Sequence, residues 1–169
     1  MNIVSKYYDA ISQGYEELYG EEQRKKFEII KKLINFSGKI LDVGCGNGKI
    51  TNEIAEKGEF VVGMDISKGM ISKAKKEKAF FIIADACSLP FKDDSFDIVI
   101  SITVLQDIKE PLKALKEMKR VCKERILLSV LKRNWNREKL YKCILSCGLS
   151  VEKMINEERD LICLLKNLK

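Results

Sequence analysis

The sequence predicts an α/β protein with a largely parallel sheet that ends in an antiparallel strand. Three observations carry this prediction: apolar runs of strand length alternate with helical segments from residue 39 onward, a glycine-rich turn follows the first run, and the tail holds two apolar runs without a helix between them. Runs that are apolar throughout, such as 80–84, are typical of parallel strands covered on both faces.

Residues 1–36 are predicted to be helical and to precede a core of residues 37–169 within one domain. Apolar residues recur at helical spacing in two stripes, one on each side of Gly20. The first stripe consists of Ile3, Tyr7, Ile11, Tyr15 and Leu18, and the second of Phe27, Ile30, Leu33 and Ile34.

The remaining elements follow from the alternating pattern. Strands are predicted at 39–44, 60–65, 80–84, 96–102 and 125–130, and helices at about 47–57, 68–78, 110–123 and 136–147. The apolar segments 151–155 and 161–165 flank the polar segment 156–160, which predicts a hairpin. Because 162–165 is apolar throughout, the last strand is expected inside the sheet and not at its edge.

Composition excludes several classes of protein. The chain of 169 residues is 46% hydrophobic and 33% charged, as in an ordinary globular domain. No apolar run reaches the length of a membrane span, and the N-terminal residues lack the apolar core of a signal peptide. We therefore expect no membrane contact and a cytoplasmic location.

The residue types also restrict the chemistry. The chain has no histidine, which removes Ser-His and Cys-His pairs and histidine metal sites. Its six cysteines form no CxxC pair, so we expect buried thiols in a reducing compartment and no metal site.

The segment LDVGCGNGKI, residues 41–50, predicts a strand that runs into a glycine-rich turn and then a helix. Glycines at 44, 46 and 48 allow a tight turn and a close approach of the backbone to a ligand. Their spacing is Gly-x-Gly-x-Gly, which argues against the Gly-x-Gly-x-x-Gly pattern of nicotinamide-binding proteins.

Acidic residues stand at the ends of the next two predicted strands. Asp65 ends the second strand and Asp85 follows the third. Ligands of open α/β sheets bind beyond the carboxyl ends of the strands, so a glycine loop with two acids in register predicts a nucleoside-bearing cofactor. The alternative is structural: Asp65 caps the helix that begins near Lys68, and Asp85 caps a turn before Pro90.

Four motifs together resemble the class I S-adenosylmethionine-dependent methyltransferases, particularly the methyltransferase type 11 group. They are LDVGCGNGKI, VVGMDIS, FIIADACSLPF and FDIVISITVLQDI, and the resemblance covers nearly the whole chain from Tyr8. It implies a Rossmann-like, doubly wound, seven-stranded sheet with its last strand antiparallel, an N-terminal helical lid, and methyl transfer with S-adenosylmethionine as the cofactor.

The resemblance also implies a role for individual residues. The methionine part of the cofactor would lie against Asp42 and the loop residues Gly44, Cys45, Gly46 and Gly48, with its ammonium at backbone carbonyls near Ser101. Asp65 would bind the ribose hydroxyls, Ile66 would contact the adenine ring, Asp85 would accept from the adenine amino group, and the Ala86 N–H would meet a ring nitrogen. Tyr8 and Tyr15 resemble tyrosines of the family's lid, with core packing as the equal alternative.

Methyl transfer from a sulfonium is an in-line displacement that depends mainly on alignment and exclusion of water. Many small-molecule relatives place a histidine just after the fourth strand, where this chain has Gln106 and Asp107. Asp107 is the candidate general base; the alternative is an acid on a surface turn.

The acceptor is predicted from three observations. No Asn/Asp-Pro-Pro-Tyr motif follows the fourth strand, unlike in enzymes that methylate planar amide or exocyclic amino nitrogens, and no insertion follows the fifth strand, which leaves an open mouth. Lys132, Arg133 and Arg137 surround the single tryptophan, Trp135, an arrangement that suits RNA. The alternative is that Trp135 packs on the sheet and the cations are solvated.

These observations favour a large acceptor, either tRNA or a translation protein. A small metabolite is the first alternative, and the second is a non-catalytic subunit that binds S-adenosylmethionine within a complex. In the family's usual strand order the third strand is an outer one, so Phe80–Ile83 would form an unpaired apolar edge. Some methyltransferases of this fold dock a small zinc-finger activator protein there, and we expect a partner on this edge.

Overall fold

The computed structural model describes residues 3–75 and 77–168, which form one sheet with helices on both faces. The helices are α1 Ile3–Ile11, α2 Tyr15–Lys31, α3 Lys49–Ile54, α4 Lys68–Lys73, α5 Pro111–Val121 and α6 Arg137–Ser146, with a 3-10 turn at Leu105–Asp107. The strands are β1 Lys39–Val43, β2 Phe60–Asp65, β3 Phe80–Ile83, β4 Phe96–Ile102, β5 Cys122–Leu131, β6 Leu149–Asn156 and β7 Asp160–Asn167.

The strand order of the seven-stranded sheet is β3-β2-β1-β4-β5-β7-β6. The first five strands pair in parallel, whereas β7 runs antiparallel to both β5 and β6. The predictions of a C-terminal hairpin, a last strand inside the sheet and an outer third strand are therefore confirmed. Strand order reverses between β1 and β4, where ligands of open α/β sheets bind.

Alternate residues of the central strands face opposite layers of helices. Leu41 and Val43 of β1 belong to a core with residues of α5 and α6, while Ile40 belongs to a second core with residues of α2 and α3. Burial of both faces explains why these strands are apolar throughout.

The N-terminal helices depart from the predicted pattern. The break between them lies at residues 12–14, where the Ser12 hydroxyl donates to the Asp9 carbonyl, and Gly20 lies inside α2. Strong helix formers follow Gly20, and packing of α2 outweighs the roughly 1 kcal/mol cost of one glycine. The first stripe is also not a core face, because Ile3 is 84% and Leu18 63% exposed.

Other boundaries differ by a few residues. The helix predicted over 68–78 ends at Lys73, and β5 begins at Cys122 instead of residue 125. All six cysteines are free thiols. Within the described ranges, no helix combines the length and the apolar character that crossing a membrane requires.

Candidate functional site

The glycine loop joins the carboxyl end of β1 to α3 and has a left-handed backbone at each predicted glycine. The φ angles are +79° at Gly44, +55° at Gly46 and +74° at Gly48. A Cβ atom at Gly44 would lie 2.3 Å from Val104 Cγ2, and one at Gly48 would lie 2.4 Å from Phe81 Cε1. Both conformation and space therefore require glycine at these positions.

The loop is tied to the end of β2. The Gly44 and Cys45 N–H groups both donate to the Met64 carbonyl, at 2.7 and 2.9 Å. The Gly46 N–H donates to Asp65 Oδ2 at 2.9 Å, so this amide holds a carboxylate of the protein itself. The loop and Asp65 consequently form one preorganised unit.

Asp65 lies on the wall of a cavity of about 290 Å³, which we call the inner cavity. Its Oδ1 accepts from the Ser67 N–H at 2.9 Å. Burial raises the pKa of Asp65 above its ordinary value, although both amide hydrogen bonds oppose this rise. Among the alternatives from the sequence, the Ser67 hydroxyl and not Asp65 caps α4, because Ser67 Oγ accepts from the Met70 N–H at 3.1 Å.

The inner cavity brings together predicted residues that are far apart in the chain. Its lining includes Tyr8, Tyr15, Gly44, Gly46, Asp65, Ile66, Asp85, Ala86 and Asp107. Asp85 is exposed, and its Oδ1 accepts from the Cys87 N–H at 2.8 Å, so it also shapes the turn that the structural alternative foresaw.

Asp42 and Cys45 line a recess of about 80 Å³ that adjoins the inner cavity at Tyr15, Gly44, Gly46 and Ile102. Asp42 is 3% exposed, and its Oδ2 accepts from the Thr51 hydroxyl at 2.6 Å. Burial raises the pKa of Asp42 to about 7, in spite of the Thr51 hydrogen bond. Burial also raises the pKa of the Cys45 thiol, so Cys45 is not a reactive thiolate.

Two predicted residues lie behind the cavity wall. Ser101 is 1% exposed, and residues 102–104 rather than Ser101 reach the inner cavity. Gly48 is buried and begins α3 without lining either the cavity or the recess. The contact predicted for carbonyls near Ser101 stays a prediction.

Asp107 is held by a residue of the N-terminal helix. The Tyr8 hydroxyl donates to Asp107 Oδ2 at 2.8 Å, and both side chains line the inner cavity. Burial and the Asp107 charge raise the pKa of Tyr8, and burial raises that of Tyr15 to about 12, so both hydroxyls stay protonated near pH 7.

α1 is fastened across the inner cavity by polar contacts that the sequence did not indicate. Asp9 Oδ1 accepts from the Ser67 hydroxyl at 2.6 Å and from the Gly69 N–H at 2.7 Å. The Ser5 hydroxyl donates to the Ile66 carbonyl at 3.3 Å. Hydrogen bonds from Ser67 and Gly69 lower the pKa of Asp9.

A buried ion pair supports Thr103, another wall residue that the sequence did not indicate. Lys26 Nζ of α2 lies 2.8 Å from Asp160 Oδ1 and donates to Thr103 Oγ1 at 2.5 Å, and Lys26 and Asp160 are 3% and 4% exposed. Thr103 has a φ of +60°, which is strained for a β-branched residue. Its N–H donates to the Ser129 carbonyl at 3.0 Å, which helps to hold this conformation.

Trp135 contradicts the predicted RNA-stacking role. It is 4% exposed and belongs to the core, with Lys139 Nζ 4.5 Å from its ring centre. The structural alternative for Trp135 is therefore confirmed, because burying its large apolar ring in the core stabilises the fold.

A larger cleft of about 770 Å³, which we call the tyrosine cleft, opens beside the inner cavity. The two share Val4, Tyr8, Tyr15, Thr103 and Asp107 as lining residues. Tyr7 and Tyr19 line the cleft only, together with the cations Lys132, Arg133 and Arg159.

The sheet order, the glycine loop and the acid at the end of β2 together define a class I S-adenosylmethionine-dependent methyltransferase. The chain belongs to the methyltransferase domain family Methyltransf_11, whose model matches residues 41–129. The family prediction is confirmed, and S-adenosylmethionine is the cofactor of this class.

Two relatives show the range of proteins similar to this chain. MJ1123 of Methanocaldococcus jannaschii, an uncharacterised protein, is 32% identical over 147 residues, which cover 84% of this chain and 67% of that protein. A demethylmenaquinone methyltransferase of Clavibacter sepedonicus is 33% identical over 131 residues, 71% of this chain and 54% of the relative. The chain thus spans about half the length of that curated relative.

Solved structures confirm the fold. The magnesium protoporphyrin IX methyltransferase of Synechocystis, with bound S-adenosylhomocysteine, matches with a TM-score of 0.82 at 19% identity, over 98% of both chains. The methyltransferase in a complex with the Trm112 methyltransferase activator of Haloferax volcanii matches with a TM-score of 0.81 at 16% identity, over 100% of this chain and 99% of the other.

The residues present fit this cofactor. Apolar side chains of Met64, Ile66 and Met70 line the inner cavity beside the Asp65 carboxylate, so an apolar wall for a planar ring adjoins acceptors for hydroxyl groups. The recess beyond Gly44 and Gly46 continues the cavity toward Asp42 and offers room for an amino-acid tail. The carboxylates around the site favour a cationic sulfonium.

Proposed function

We propose that this chain transfers a methyl group from S-adenosylmethionine to an acceptor that enters through the tyrosine cleft. The observation that carries the proposal is the junction of the two cavities, which share Tyr8, Thr103 and Asp107 as walls. A cofactor in the inner cavity and an acceptor in the cleft would meet at these residues.

When bound, S-adenosylmethionine would supply a methyl group on a sulfonium, whose carbon–sulfur electron pair would go to sulfur as the acceptor takes the methyl group. The chain's own residues align and enclose this displacement. α1 places Val4 and Tyr8 on the inner cavity, and it acts as the part of the predicted N-terminal lid that excludes water from the site. Asp107 takes the proton that the acceptor atom loses, while Tyr8 orients its carboxylate.

The open cleft supports a large acceptor, either an RNA such as tRNA or a translation protein. The test is transfer of a radiolabelled methyl group to an extract of the source organism, with parallel samples treated with nuclease or protease. Loss of the label with nuclease assigns RNA, and loss with protease assigns a protein. Label that survives both treatments and is extracted into organic solvent would assign a small metabolite.

A small metabolite is the second candidate, supported by relatives that are named for such substrates. The C. sepedonicus relative is a demethylmenaquinone methyltransferase at 33% identity. The four tyrosines of the cleft also suit a small aromatic acceptor.

Asp65 provides the test of cofactor binding. We expect Asp65→Ala to weaken binding of S-adenosylmethionine tenfold or more, because the ribose hydroxyls lose their acceptor, and the isosteric Asp65→Asn to weaken it as well, because one of the two acceptor oxygens becomes an NH2 donor. Calorimetric titration measures this, with Glu59→Ala, an exposed acid next to β2, as the matched control. An unchanged affinity of both Asp65 variants would contradict the ribose assignment. Cofactor binding without methyl transfer to any extract fraction would instead favour the non-catalytic subunit.

The edge of β3 supports the proposal of a small activator partner. Phe80 and Ile83 are 60% and 53% exposed, and Phe60 of β2 is 43% exposed with its ring centre 5.2 Å from that of Phe80. Unpaired apolar edges are normally protected, and the Haloferax methyltransferase of the same fold is bound to the Trm112 activator.

Size-exclusion chromatography with a purified Trm112-type activator tests this partner. Complex formation should be lost in Phe80→Lys and retained in Leu112→Lys, which changes an apolar side chain of α5 that is 45% exposed. A complex that survives Phe80→Lys would place the partner elsewhere.

A further inference from the structure

Four tyrosines form a closed ring of contacts in the tyrosine cleft. The ring centres of Tyr7 and Tyr8 are 5.2 Å apart, those of Tyr8 and Tyr15 6.2 Å, and those of Tyr15 and Tyr19 5.3 Å. The hydroxyls of Tyr7 and Tyr19 close the ring at 3.4 Å. The tyrosines come from both N-terminal helices, so this wall of the cleft lies where α1 and α2 meet.

Packing of the core does not explain this arrangement. Tyr7 is 50% exposed and Tyr19 37% exposed, and both face the cleft. Their rings lie at 78° (Tyr7 to Tyr8) and 47° (Tyr15 to Tyr19) to their neighbours, so these tyrosines are not stacked face to face with one another. Exposed, differently oriented aromatic faces are surfaces on which a planar ring can stack.

The cations of the cleft differ in how far they are neutralised. Arg159 pairs with the Glu22 carboxylate at 2.9 Å, whereas Lys132 Nζ donates to a backbone carbonyl, that of Glu158, at 3.3 Å and has no ion pair with a carboxylate of the described residues. The Arg133 guanidinium donates to Asn134 Oδ1 at 3.3 Å and forms no ion pair with a carboxylate of residues 3–75 or 77–168.

We infer that the tyrosine cleft is the acceptor site and that it takes a planar aromatic ring bearing one anionic group, the chemistry of a nucleotide unit. The ring stacks among the tyrosines, and Arg133 binds the anionic group. This inference rests on the proposed methyl transfer and specifies its acceptor. The cleft lining holds the three cations Lys132, Arg133 and Arg159 and the three acids Glu22, Glu158 and Asp107, and this balance suits a single phosphate or carboxylate better than a long polyanion.

The placement also explains how the acceptor atom reaches the cofactor. Tyr8 and Tyr15 belong to both cavities, so a ring stacked on them has one edge at the junction beside Asp107. A ring N–H or O–H at that edge can pass its proton to the Asp107 carboxylate as the new bond to carbon forms. The sequence predicted an aromatic stacking surface beside cations at Trp135. In the structure the tyrosines of the cleft, and not Trp135, lie beside cations on an open surface.

The test is a calorimetric titration. Each of the four nucleoside 5′-monophosphates is added to the full chain saturated with S-adenosylhomocysteine, and its binding is measured. We expect at least one to bind, and the variant Tyr7→Leu/Tyr19→Leu to weaken its binding tenfold or more. Arg133→Gln should weaken the monophosphate severalfold and leave the matching nucleoside unchanged. The matched controls are Tyr141→Leu, 45% exposed on α6, and Arg137→Gln, an exposed cation outside the cleft.

A fluorescein-labelled ten-nucleotide oligomer of the same base distinguishes the source of the nucleotide. Tighter binding than the monophosphate, still sensitive to Tyr7→Leu/Tyr19→Leu, assigns an RNA strand, and equal binding assigns a free nucleotide. The inference is overturned if S-adenosylhomocysteine binds but none of the four monophosphates does, or if the control variants weaken binding as much as the cleft variants. Methyl labelling of an extract fraction would then still support the proposed methyl transfer.

Discussion

The two sides of the candidate site are held by different forces. The floor, residues 42–48, 65–66 and 101–104 at the strand ends, is continuous with the buried sheet and is supported from below by the Lys26–Asp160 pair. The roof, α1, has Ser5 as its one buried residue and is fastened by the hydrogen bonds of Ser5, Tyr8 and Asp9. The floor is therefore as stable as the fold, whereas the roof can open without unfolding the sheet.

The largest effect is expected at the support of the floor. Lys26→Met leaves the buried Asp160 carboxylate without its cation, and we expect it to lower the free energy of unfolding by about 3–5 kcal/mol. Denaturant unfolding measures this. The control Lys25→Met removes an exposed pair with Glu21 and should leave the free energy of unfolding near that of the wild type. Equal losses in the two variants would show that the floor does not depend on the buried pair.

The second effect concerns Asp42 in the floor. Its pKa is raised by folding, so its protonated form is favoured in the native state, and stability is lost as the pH rises from 3.8 to about 7. At ~1.4 kcal/mol per pKa unit, this change corresponds to on the order of 4 kcal/mol. Asp42→Asn keeps an acceptor for Thr51 and removes the titration.

Unfolding of both proteins between pH 4 and pH 8 tests this difference. We expect Asp42→Asn to gain stability relative to the wild type as the pH rises across the window. A constant difference between the two proteins would show that Asp42 titrates in the native state as it does in water.

The smallest effect on stability, and a clear one on kinetics, is expected at the roof. Asp9→Ala removes the acceptor for Ser67 and Gly69, so α1 should open more often and S-adenosylmethionine should dissociate severalfold faster. Stopped-flow measurement of dissociation tests this, with Lys6→Ala, an exposed change on the same helix, as the control. The denaturation midpoint should stay near that of the wild type. If Asp9→Ala instead destabilised the whole fold as Lys26→Met does, the distinction between roof and floor would be wrong.

The floor was also the part that the sequence predicted best. Gly44, Gly46 and Gly48 indicate a left-handed backbone because glycine adopts positive φ angles readily. Asp65 is recognisable because it is the acidic residue at the end of an apolar strand. Ser101 shows the limit of such reasoning: the sequence predicts a contact near Ser101, but the folded backbone, with Thr103 at a φ of +60°, places residues 102–104 and not Ser101 on the cavity wall.

The sequence by itself determined the α/β class, the strands, the C-terminal hairpin and the methyltransferase family, because apolar periodicity and glycine positions are local properties of the chain. The tertiary structure alone decided the roof and the cleft. Tyr8 meets Asp107 across 99 positions and Asp9 meets Gly69 across 60, and Trp135 enters the core although cations surround it in sequence. Such contacts arise from the packing of distant segments, which residue type and spacing do not encode locally.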